Sequence, residues 1–95
     1  MTVMEVIHLR MAWNHPETLA EAIREAVKKA PSAPDVRVYR HTRIEGDLLI
    51  HIHHPGSEQR DQASDLGVRL AALLRAHGLV DHSLWVGNDR PDATQ

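Results

Sequence analysis

Residues 47–55 read DLLIHIHHP, and this stretch decides how the chain folds. Leu48, Ile50 and Ile52 alternate with Leu49, His51 and His53, the two-residue period of a strand with one buried face. A short turn precedes the stretch, in RIEGD, and Pro55-Gly56 closes it. Working outward, Val36 and Val38 alternate with Arg37, Tyr39 and His41, which predicts a partner strand over 36–44. A three-residue loop Ile44-Glu45-Gly46, with Gly46 in the left-handed region, would pair Arg43 with Asp47. That register sets Tyr39 opposite His51, Arg37 opposite His53, Val38 opposite Ile52 and Val36 opposite His54.

Towards the N-terminus, residues 3–13 read as a strand. Ile7, Leu9, Met11 and Trp13 share one parity, and Val6, His8 and Arg10 the other. Asn14 is placed to cap a helix, with Pro16 in its first turn and Glu17 in capping-box position. Leu19, Ile23, Ala26, Val27 and Ala30 follow at helical spacing until Pro31 and Pro34 stop them. Beyond the central stretch, Ser57 is the expected cap of a long helix carrying Ala63, Leu66, Leu70, Leu73 and Leu74, closed by Gly78. Gly67 inside that helix costs about 1 kcal/mol relative to Ala, and close packing would justify it. A last strand is expected over 80–87.

The predicted order is β-α-β-β-α-β, an α+β chain. Short connections and right-handed crossovers favour a four-stranded antiparallel sheet, strand order 4-1-3-2, with both helices on one face. This order resembles the ferredoxin-like fold. The reading gives one domain over 1–88 and a polar tail over 89–95.

Composition bounds the function. The chain has 95 residues, 42% hydrophobic and 25% charged, with a net charge of −2 when its eight histidines are neutral. That balance carries no footprint for duplex nucleic acid or an anionic membrane. No apolar run approaches the roughly 20 residues of a membrane helix, and the start lacks the pattern of a secretion signal. There are no cysteines, so disulfides and thiolate chemistry are excluded. A cytoplasmic protein is the expectation.

The alternation assigns Val6, His8, Arg10, Arg37, Tyr39, His41, Arg43, Leu49, His51, His53, Ser83 and Trp85 to the sheet face without helices. Its acids, Asp35 and Asp81, are expected only at strand beginnings. One explanation is a wet antiparallel face with nothing further to do. The alternative is a face that closes over a second copy, a ligand, or both, because aromatic, aliphatic, imidazole and guanidinium groups mix there. The candidate ligand-binding residues are His8, Arg10, Arg37, Tyr39, His41, His51, His53 and Trp85. A small anion such as a carboxylate or phosphate is the expected ligand, because arginines lie near and acids do not. A homodimer through this face is the expected assembly, and a noncatalytic protein-interaction module is the rival.

Three chemistries compete with simple binding. His51 beside Tyr39 is the acid–base candidate, since nearby arginines favour a neutral imidazole. His51-x-His53, with His8 or His41 as a third ligand, is the metal candidate, but without a central acid no metal is expected. Nucleic acid is not an expected partner, because His8, His51 and His53 stand where RNA-recognition modules carry stacking aromatics. No cofactor is implied, and whether the chain is an enzyme stays open.

The element order and the mixed face also resemble the dimeric α+β barrel superfamily, small monooxygenases and isomerases among them. That resemblance implies face-to-face pairing of two sheets. No catalytic motif matches residue by residue, and a clear extra C-terminal strand for exchange is missing. Residues 50–70 are faintly similar to the second half of tautomerase subunits, but Thr2 stands where that mechanism needs a proline.

Overall fold

A computed structural model describes residues 3–10, 16–31, 35–54 and 62–87. The elements in chain order are β1 (Val3–Arg10), α1 (Pro16–Lys28), β2 (Asp35–Arg40), β3 (Leu48–His54), α2 (Asp65–Arg75) and β4 (Leu79–Val86). The sheet runs β2-β3-β1-β4, and every neighbouring pair is antiparallel. This is the expected strand order, read from its other edge. Met11, Trp13, Asn14 and Ser57 lie outside the described residues.

One face of the sheet carries the core. Ile7 and Leu9 from β1 and Leu48, Ile50 and Ile52 from β3 pack against Leu19, Ile23 and Ala26 of α1. Leu66, Leu70, Ala71 and Leu74 of α2 complete the cluster. Burying each large aliphatic side chain contributes roughly 1.5–3 kcal/mol, an upper figure when the unfolded chain is compact. Val36 of β2 is partly buried against this cluster. Val38 belongs to the core side by parity, yet it is 44% exposed.

Two boundaries differ from the sequence reading. The cap of α2 is Ser64, whose Oγ accepts from Gly67 N at 3.0 Å, so Ser57 does not start this helix. Asp65 in the first turn and Arg75 in the last match the helix dipole. β2 ends at Arg40, not at residue 44. Beyond it His41 N donates to Asp47 O and Asp47 N donates to Ile44 O, at 3.3 and 3.2 Å. The hairpin therefore closes on His41 and Asp47, and Arg43 lies in the turn instead of pairing with Asp47.

The β2–β3 register consequently slips by two residues from the expected one. Val36 pairs with Ile52, Val38 with Ile50, Arg37 with His51 and Tyr39 with Leu49. The physical cause is in the turn. His41 Nδ1 accepts from the backbone N–H groups of Arg43 and Ile44, each at 3.0 Å. A side-chain-capped turn replaces the tight three-residue loop. Because the slip is even, every residue keeps its face.

Candidate functional site

The sheet face away from the helices, uncovered among the described residues, is a lattice of four strands. Its rows, read from β2 to β4, are Tyr39–Leu49–His8–Asp81, Arg37–His51–Val6–Ser83 and Asp35–His53–Met4–Trp85. His51 and His53 alternate with buried Ile50 and Ile52, so strand geometry alone sends both imidazoles to this side. The two central strands present Leu49, Val6 and Met4, all half-buried, beside His8, His51 and His53. Tyr39 and Trp85 stand exposed at opposite margins.

The charges on this face are paired. Arg10 meets Asp81 at 2.9 Å and Arg37 meets Asp35 at 3.4 Å. His8 Nε2 lies 3.2 Å from Asp47 Oδ2. Acids thus reach further onto the face than the expected pair at strand beginnings, because the hairpin closes at Asp47 and brings its carboxylate to His8. Trp85 Nε1 donates to Ser83 Oγ at 2.8 Å.

Tyr39 and His51 do meet, with ring centroids 4.9 Å apart, but as diagonal neighbours and not as a directly opposed pair. His51 and His53 follow edge to face at 6.0 Å. Burial, and then the charge of His53, pushes the His51 pKa below its usual value, so a neutral ring is favoured. His41 lies beyond the end of β2, and its Nδ1 is engaged in the turn, accepting from the backbone N–H groups of Arg43 and Ile44. Among the described residues no three His, Asp or Glu side chains are grouped to hold a metal ion.

A second constellation lies on the core side, and the sequence reading missed it. Glu5 is fully buried, in the parity of Val3, Ile7 and Leu9. His54 Nε2 lies 2.6 Å from Glu5 Oε1, and His82 Nε2 lies 2.8 Å from Glu5 Oε2. Their side chains are only 9% and 13% exposed. Ser64 N, at the cap of α2, donates to Oε1 at 3.2 Å. The carboxylate thus takes the place of an anion at a helix N-terminus.

Burial alone would raise the Glu5 pKa. Hydrogen bonds from the Ser64 side chain, His54, His82 and the Ser64 backbone outweigh it, and the net shift is downward. Such a carboxylate is a weak base with its lone pairs already engaged. The two imidazoles come from β3 and β4, on either side of β1, and each takes a different oxygen. They flank the carboxylate instead of converging on one point. The arrangement works as a clasp joining three strands and a helix. Gly67 makes it possible, because a Cβ there would lie 1.9 Å from Glu5 Oε2.

Comparison with known proteins adds a fold and nothing chemical. No family model matches the chain, and no curated protein matches it. A solved structure titled "De novo designed protein Foldit4" is similar, with 20% sequence identity and a TM-score of 0.54. The match covers 92% of this chain and 98% of that one. The likeness is one of fold. A fold shared with a designed protein carries no site with it, so function must be argued from the surface.

Proposed function

We propose that this chain is a noncatalytic binding module whose uncovered sheet face is the contact surface for another protein surface. The observation that supports this is the layout of that face. Leu49, Val6 and Met4 form an apolar centre between Tyr39 and Trp85. The margin holds the pairs Arg10–Asp81 and Arg37–Asp35. An apolar centre within a polar rim is the anatomy of a protein interface. Arginines already neutralised by carboxylates, beside a histidine held neutral, attract a free anion weakly.

A photo-cross-linking residue in place of Leu49 tests the reading against the same residue in place of Val68, exposed on α2. Position 49 should capture a defined protein, this chain or another, that position 68 does not. The purified captured protein should then bind the wild-type chain and bind the Val6→Asp variant at least about tenfold more weakly, a loss of about 1.4 kcal/mol. Equal capture at both positions would remove the proposal.

A small anion is the second reading, favoured by one contact. Arg37 lies directly across from His51, with His53 next along the strand. Phosphate or benzoate should then shift the imidazole resonances of His51 and His53 in a saturable way. An unchanged spectrum at millimolar ligand would leave the protein surface as the sole occupant proposed.

A further inference from the structure

The two edges of this sheet are guarded very differently. An edge strand exposes unpaired N–H and C=O groups, and proteins usually blunt it with charge, proline or a bulge. β2 carries Asp35, Arg37 and Arg40 among its 6 residues. β4 is 8 residues long, LVDHSLWV, and its one charged residue is Asp81. It contains no proline, lysine or arginine. Leu79, Trp85 and Val86 on it are 56%, 58% and 54% exposed.

We infer that a second copy of this chain pairs antiparallel with β4, edge to edge, joining two sheets into one of eight strands. The register follows from side-chain complementarity. Directly opposed residues must share a face, so a two-fold axis in the middle of the strand passes through Asp81, His82 or Ser83. An axis at Asp81 sets the two Asp81 carboxylates against each other, and like charges directly opposed are destabilising. An axis at Ser83 sets Asp81 against Trp85 of the partner subunit and leaves Leu79 opposite Gly87 of the partner subunit.

An axis at His82 resolves both conflicts. Leu79 then meets Trp85 of the partner subunit, Val80 meets Leu84 of the partner subunit, and Asp81 meets Ser83 of the partner subunit. Symmetry repeats each contact. The most exposed large side chains of the strand thereby cover one another, and Asp81 keeps its contact with Arg10. His82 points to the core side, held by Glu5, and does not obstruct the axis. This pairing is independent of the proposed use of the open face. It leaves that face uncovered and makes it continuous across both copies.

The chain has no cysteine, so introduced thiols report the pairing without background. Asp81→Cys protein mixed with Ser83→Cys protein under mild oxidation should give a mixed disulfide in clear excess over either self-disulfide. Wild-type chain should sediment as a dimer at high micromolar concentration. Leu79→Lys should raise its dissociation constant about tenfold, equivalent to about 1.4 kcal/mol. Predominant self-disulfide of either single variant would overturn the register. A wild-type monomer under these conditions would overturn the pairing itself. A dimer lost in Val6→Asp, with no mixed disulfide, would put the second copy on the open face and equally overturn it.

Discussion

A carboxylate without water around it persists in its charged form only where hydrogen bonds replace its hydration. Glu5 meets that condition through two imidazoles and the Ser64 cap, and Gly67 leaves it room. Replacing Gly67 with Ala would normally favour a helix. Here the new methyl collides with the carboxylate, so Gly67→Ala should destabilise by about 1–3 kcal/mol in urea unfolding. The clasp also sets an acid limit. The pKa of Glu5 is lowered from 4.5, so unfolding takes up a proton as the pH falls. Its contribution is complete above about 4.5 and is lost as the pH drops through the folded value. Glu5→Gln should be less stable than wild type at pH 6 and should show a flatter pH dependence below about 4.5, readable by urea midpoints. The lone acid among Val3, Ile7 and Leu9 was visible in the alternation. Its partners were not, because His54 and His82 stand 49 and 77 residues away and are brought to it only by strand pairing.

Elements were legible where burial enforces a period. Leu48, Ile50 and Ile52 could face only the helices, and with them went the faces of His51 and His53 and the strand order built upon them. Register was not legible to the same degree. An even slip preserves every face, so hydrophobic alternation distinguishes odd errors only. The choice fell to a turn whose decisive contact is an imidazole accepting backbone N–H groups, a role shared more often by Asp, Asn and Ser. The start of α2 likewise moved from Ser57 to Ser64, whose side chain accepts from Gly67 N, a choice between two serines that spacing alone does not make. If His41 holds the turn, His41→Ala should speed amide exchange at Arg43 and Ile44. It should cost about 1 kcal/mol, the scale of one net hydrogen bond, and leave the core pairs Val36–Ile52 and Val38–Ile50 in place. Unchanged exchange at those two amides would show that the turn forms without the imidazole.

At the scale of the whole molecule the sheet divides its labour. The helix side holds the core and the Glu5 clasp, while the other side carries His51, His53 and the exposed Tyr39 and Trp85. His51 reports on the chemistry of that side directly. Its pKa is lowered from 6.5 first by burial and then by the charge of His53. Because the unfolded chain takes up that proton more readily, the neutral ring contributes stability that is complete above about 6.5 and declines as the pH falls towards the folded value. The two causes separate in one experiment. Following the His51 ring by NMR, His53→Gln should raise its pKa by removing the neighbouring charge, yet leave it below 6.5 because burial remains. Covering the face with a partner should deepen the burial and lower the pKa further, so association through this face should strengthen as the pH rises through the same range. A His51 pKa unmoved by His53→Gln would remove the electrostatic coupling. A pKa unmoved when a partner binds would place that partner elsewhere on the molecule.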